Sequence, residues 1–223
     1  MRTLGTLAAV LLLSPIACYA NDRFDLSART GRSDAETVDW REWEIGAEER
    51  VAQPLAQGQV ELRGIGAPLE GFLHKGALAE GASIAADGVV CDGGAIEVVL
   101  TGLPAGKHSL ATYHNRAGEG SGELALQVGE TQVAVTPSVG PNPTDKVATA
   151  YVEFEAGDAP ITVRISAAPG APVVLNAVEL DASDPARRPM KPSPAASDGH
   201  VDAESGELEL TWRPTPDASQ YLV

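Results

Sequence analysis

The run Tyr113-His114-Asn115-Arg116 places an aromatic ring, an imidazole, an amide and a guanidinium on consecutive residues. It lies where an alternating apolar run gives way to the glycine-rich stretch Ala117 to Gly122. Such a set suits a sugar: the aromatic face meets the apolar side of a pyranose, and fixed donors and acceptors meet its hydroxyls. Loops at the end of a rigid scaffold present binding groups of this kind. The same residues carry a second reading, in which Tyr113 packs inside while His114 and Asn115 tie the loop to the backbone. Trp40 and Trp43, in Val38-Asp-Trp-Arg-Glu-Trp-Glu-Ile45, are three apart and take opposite faces of a strand. Glu42 shares the face of Trp40, and Arg41 and Ile45 share that of Trp43. One indole is then core and the other exposed for stacking on sugar, unless both pack under the first strand. Trp43 joins Tyr113, His114, Asn115 and Arg116 as the carbohydrate-binding candidates.

Other chemistry is poorly represented, and no catalytic residues are assigned. Glu153 and Glu155 share a strand face, the spacing of an acid–base pair, but nothing supplies a facing donor, so solvated acids are the simpler reading. Asn176 shares a face with Val174, Val178 and Leu180 and reads as a satisfied buried amide at a strand end, or as a group reaching a ligand. The four histidines (His74, His108, His114 and His200) have no close ligand spacing, and no zinc pattern exists. Calcium is the one metal the composition leaves open, through Asp87, Asp92, Asp158 and Asp181, but no motif locates it. No phosphate-binding glycine loop and no Gly-x-Ser-x-Gly elbow occur.

The elements that must position these residues are short strands. Ile96, Val98 and Leu100 alternate, as do Leu124, Leu126 and Val128, then Val133 with Val135, and Ile161, Val163 and Ile165. Period-two runs are half-buried strands. Gly102-Leu-Pro-Ala-Gly106 and Ala156-Gly-Asp-Ala-Pro160 punctuate them, and Gly129-Glu130 predicts a tight hairpin. The segment Gly71 to Ala86 has room for one helical turn, its glycines arguing against more. The pattern predicts an all-β fold, a jelly-roll-type β-sandwich over residues 37–181.

Arg2, the apolar run Leu4 to Leu13 and the small residues before Ala20 have the layout of a cleaved export signal over 1–20. Cys18 offers a lipoprotein alternative that Pro15 and Ile16 suit poorly. The run is too short for a membrane span, so the expected location is secreted or at the cell surface. Residues 21–36 read as a flexible lead-in, and 182–191, rich in proline, as a stiff linker. The net charge of −15 becomes −16 on cleavage. Such acidity opposes nucleic acid and anionic membrane as partners. Cleavage also leaves Cys91 as the single thiol, flanked by Val89 and Val90 and expected to be buried and inert.

Two stretches carry a resemblance. Lys191-Pro-Ser-Pro-Ala195, Gly199-His-Val-Asp202, Leu208-Glu-Leu-Thr-Trp212, Pro216 and Ala218-Ser-Gln-Tyr221 resemble the opening of a fibronectin type III domain, cut short at residue 223. Ile96 through Leu110, Thr112-Tyr-His-Asn115, Ala150-Tyr-Val-Glu-Phe154 and Val174 through Leu180 resemble the N-terminal sandwich of bacterial secreted pectate-lyase-like proteins. These pieces are also similar to malectin-like and galactose-binding-like sandwiches. The resemblance implies a non-catalytic accessory region, holding a polysaccharide-degrading parent on a plant-type glycan. A structural spacer or adhesion module without a glycan site is the alternative.

Overall fold

The computed structural model describes residues 22–28, 40–74, 83–116, 122–140, 142–143 and 146–187, with the backbone of 190–193 and 211–213. The export signal expected over 1–20 lies outside the described residues. The chain enters through β1 (Arg23–Ala28) and β2 (Arg41–Ile45), then the short β3 (Ala47–Glu48) and a hairpin of β4 (Arg50–Pro54) with β5 (Gln59–Ile65). β6 (Leu69–Leu73), one helical turn α1 (Ser83–Ala86) and β7 (Asp87–Cys91) lead into β8 (Ala95–Thr101) and β9 (Gly106–Arg116). A second hairpin joins β10 (Leu124–Val128) to β11 (Thr131–Val135), its turn at Gly129 with φ of 55°. β12 (Ser138–Val139), β13 (Ala148–Ala156), β14 (Ile161–Ala167), β15 (Val173–Leu175) and β16 (Ala177–Leu180) complete the fold.

The strands form a sandwich. One layer is the antiparallel sheet β11-β10-β14-β8-β5-β4. The other runs β13-β9-β16-β1-β2, with β12 beside the end of β9, and is continued by a smaller sheet, β15-β7-β6-β3. From β8 onward the chain crosses between the layers at the β8–β9, β9–β10, β11–β12, β13–β14 and β14–β15 connections, while β10–β11, β12–β13 and β15–β16 stay within a layer. That winding makes the sandwich jelly-roll-like.

Alternation fills the space between the layers. Ile96, Val98 and Leu100 from β8, Leu124 and Leu126 from β10, and Val163 and Ile165 from β14 face Phe24, Leu26, Leu110, Val178 and Leu180 from the opposite layer. Fully burying each such side chain contributes about 1.5–3 kcal/mol. Gly71 lets β6 lie close against its neighbours, since a Cβ there would stand 2.3 Å from the Ile45 carbonyl oxygen and 2.8 Å from the Ala28 Cα.

Two expectations need correction. The stretch 21–36 is not all lead-in: β1 pairs antiparallel with β16 on one side and parallel with β2 on the other, and buries Phe24 and Leu26. Phe24 and Leu26 alternate with Arg23, Asp25 and Ser27, so the stretch has a strand's period despite its polarity. Trp43, expected as a sugar-stacking candidate, is a core residue at 2% exposure, with its ring 5.3 Å edge-on from Phe24. The fibronectin-like tail lies outside the described residues, apart from β17 (Met190–Ser193) and β18 (Thr211–Arg213), which pair antiparallel.

Candidate functional site

β9 is the spine of the site. Its odd-numbered residues, Ser109, Ala111, Tyr113 and Asn115, point away from the sandwich core, whereas Leu110, Thr112 and His114 point toward it. The adjacent strands obey the same parity. Register lines up Tyr151 on β13, Ala111 on β9, Glu179 on β16 and Arg23 on β1 as one row across the outer face. Trp40, just ahead of β2, stands at the end of that row beside Arg23.

These side chains close a circuit. The Tyr113 hydroxyl donates to Glu179 Oε2 at 2.8 Å, and Arg23 Nε donates to Glu179 Oε1 at 2.9 Å. The Arg23 guanidinium carbon lies 5.9 Å from the Trp40 ring centroid, and Trp40 meets Tyr113 edge-on at 5.4 Å. Glu179 is buried at 1% exposure, so its charge depends on these charge-assisted bonds. Trp40, Tyr151 and Arg23 are half-buried and reach solvent. At the β13 edge the Tyr151 hydroxyl donates to Glu153 Oε1 at 2.9 Å. Burial, with nearby carboxylates, pushes the Tyr151 pKa up and keeps the hydroxyl a donor.

The other candidates are placed inside. His114 is fully buried, with Nδ1 2.7 Å from the Val174 carbonyl oxygen and Nε2 2.8 Å from the Thr112 hydroxyl. A carbonyl only accepts, so Nδ1 carries the proton and Thr112 donates to Nε2. Burial lowers the His114 pKa to about 4, so the ring is neutral. Asn115 is also fully buried: its Nδ2 donates to the carbonyls of Ala85 and Gly140, and its Oδ1 accepts from Ser138 and Asn142. Arg116 is half-buried at the strand's end. The tetrapeptide therefore divides: Tyr113 joins the outer face, His114 packs inward, and Asn115 holds Ser138, Gly140 and Asn142.

Asn176 interrupts β15 and β16 and is the joint of the layer. Its Oδ1 accepts from the Asn115 N–H at 2.6 Å, and its Nδ2 donates to the Asp87 carbonyl at 2.6 Å. Its own N–H donates to the Tyr113 carbonyl, and its carbonyl accepts from Leu26. Three elements, β9, β7 and β1, thus meet on one buried asparagine, the structural one of its two readings.

No protein-family model matches the chain, and no curated protein matches it. Some solved structures do align. An exo-β-1,3-galactanase from Phanerochaete chrysosporium, crystallised with β-1,3-galactotriose, is 13% identical over 59% of this chain and 29% of its own, with a TM-score of 0.35. A family 35 carbohydrate-binding module from Clostridium thermocellum is 13% identical over 62% of this chain and 95% of its own, at 0.34. The module TmCBM61, in complex with β-1,4-galactotriose, is 16% identical over 54% and 86%, at 0.31. The chain spans under a third of the galactanase. With every one of these scores below 0.5, the sandwich assignment rests on the sheets themselves.

Sequence reasoning left out three residues of the outer face: Arg23, Glu179 and Tyr151. Each sits at the outward position of an alternating strand, so parity marks its face, but only register brings the three together. Among the described residues no three His, Cys, Asp or Glu side chains are grouped to hold a metal. Of the calcium candidates, Asp87 is buried at the start of β7, Asp92 lies beyond its far end, and Asp181 Oδ1 is engaged 2.9 Å from His108 Nδ1. Cys91 is fully buried, and that burial pushes its thiol pKa up, away from a reactive thiolate. The hydroxyl–imidazole pair of Thr112 and His114 is sealed in the interior, out of reach of a substrate, and does not belong to the outer face. That face offers an aromatic and hydrogen-bonding surface.

Proposed function

We propose that this chain is a non-catalytic glycan-binding region of an exported polysaccharide-degrading protein, and that sugar lies along the outer face between Trp40 and Tyr151. The observation that carries this reading is the half-buried Trp40, braced by Tyr113 and Arg23, with the polar Tyr151–Glu153 pair at the far end of the same row. A braced indole offers a pyranose an apolar plane at little cost in side-chain freedom, while neighbouring polar groups meet its hydroxyls. The pectate-lyase-like parent, the plant-type glycan and the fibronectin-like continuation belong to the same proposal and rest on the resemblance of residues 38–223. Among the described residues no helix is long and apolar enough to cross a membrane.

Calorimetry of the full chain against galactan, xylan and pectic oligosaccharides tests it. Binding to at least one of them, lost in Trp40→Ala with the fold intact, is the expected result. An unmoved affinity in Trp40→Ala, or no binding across the panel, rejects the site. A spacer without a glycan site is the second reading, favoured by the burial of His114, Asn115 and Trp43. It predicts that no substitution on the outer face changes any binding.

A further inference from the structure

Arg23 is held side-on. Its Nε donates to Glu179 Oε1 at 2.9 Å, and among the described residues its Nη1 and Nη2 make no hydrogen bond. The Arg23 side chain is 30% exposed and that of Glu179 1%, so the carboxylate is buried while the cation it anchors reaches solvent. The guanidinium carbon lies 5.9 Å from the Trp40 ring centroid, at the end of the row where β1 meets β2. A guanidinium presents its N–H donors in one fixed plane, and a bond at Nε leaves the edge of Nη1 and Nη2 for a second partner. Stability does not account for burying Glu179. Desolvating a carboxylate is costly, and apolar replacement of a buried ion pair is often neutral or stabilising. What the buried charge gives Arg23 is a fixed direction, its side-chain freedom being lost in folding rather than on binding.

We infer that Arg23 contacts the ligand of the outer face, its Nη1–Nη2 edge receiving two adjacent acceptor oxygens of a sugar lying on Trp40, and that Glu179 is the positioning residue that aims it. The inference rests on the proposal that the outer face receives sugar, and it names what the sugar must carry. Hydroxyls on neighbouring ring carbons supply such a pair of oxygens, and so does a uronate carboxylate. Arg23 and Glu179 are neutral together. A diol is therefore read by directed hydrogen bonds, and a carboxylate by those bonds plus its charge, a part that weakens with salt. Glu179 has a second arm: Tyr113 donates to its Oε2 at 2.8 Å and meets Trp40 edge-on at 5.4 Å. One carboxylate thus sets both the indole that stacks and the donors beside it.

Calorimetry of the full chain against β-1,4-galactotriose, xylotriose and trigalacturonic acid tests it. Arg23→Lys keeps the cation and loses the fork, and should weaken whichever trisaccharide binds by about tenfold. Glu179→Gln should weaken it by about three- to tenfold, and by much less in the Arg23→Lys background, because Glu179 acts through Arg23. Salt separates the two sources of oxygen: the Arg23→Lys loss stays constant with salt for a diol and shrinks with it for a carboxylate. Arg23→Lys alters a solvent-reaching end, so it decides the ligand contact even where Glu179→Gln unfolds the chain. An Arg23→Lys chain that binds as tightly as the unaltered one, while Trp40→Ala has lost binding, overturns the inference and leaves the outer face standing. Additive losses in the double variant overturn the positioning role of Glu179. If none of the three trisaccharides binds, or if binding ignores Trp40→Ala, the outer-face site itself falls and the inference with it.

Discussion

His114 holds its place by being neutral, and that ties stability to pH. Its folded pKa of about 4 lies below the roughly 6.5 of an unfolded histidine. Between those values the unfolded chain binds a proton that the folded chain does not, so stability falls as pH drops from about 6.5 and levels off below about 4. Integrated over that window the loss is about 3 kcal/mol. Urea unfolding at stepped pH should show the decline, and His114→Gln should remove this part of it. Asn176 makes a different prediction. Asn176→Ala strands the Asn115 N–H and the Asp87 carbonyl in the interior, which costs about 2–4 kcal/mol. Asn176→Asp keeps the acceptor and loses the donor, so it too should destabilise. Both effects would appear as lowered urea midpoints with unchanged slope.

The strands differ in how readily their sequences declare them. β10, β11 and β14 are plain alternating runs, because each has one face on the core and the other toward water, and β8 keeps the same period although Ala95 and Val99 on its outward face are buried. β1 was harder to see: only Phe24 and Leu26 mark its buried face, and its partners are β2 and the distant β16. A chain beginning at residue 37, as a flexible lead-in would permit, should therefore lose cooperative unfolding, because β16 and β2 lose the strand between them. The tryptophan pair shows a related limit. A separation of three puts the indoles on opposite faces, but which face is core depends on β1, which brings Phe24 against Trp43. Trp43→Ala should cost about 3–5 kcal/mol, whereas Trp40→Ala, at a half-buried position, should cost much less and act on binding. The outer site was only partly legible, for Tyr113 stood out in a cluster while Arg23 and Glu179, 156 residues apart, meet through pairing alone. Gly71→Ala belongs at this scale too. Its new methyl would meet the Ile45 carbonyl, and a lowered thermal midpoint is expected.

Across the whole molecule, a net charge of −15 repels itself, and the outer face concentrates part of that charge beside the proposed sugar strip. Added salt should raise the thermal midpoint modestly by screening the repulsion, before any ligand is present. The central place of β1 has a further consequence, in time rather than in space. Its antiparallel partner β16 is among the last strands of the sandwich to be made, and the Arg23–Glu179 bond closes a loop of 156 residues. Long-range pairings of this kind slow folding, to milliseconds or seconds, and keep strand edges open meanwhile. A chain delivered N-terminus first thus carries its earliest strand unpaired on that side until residues 177–180 arrive. What comes first in synthesis is completed last, and a chain ending before Ala177 has no sandwich to close.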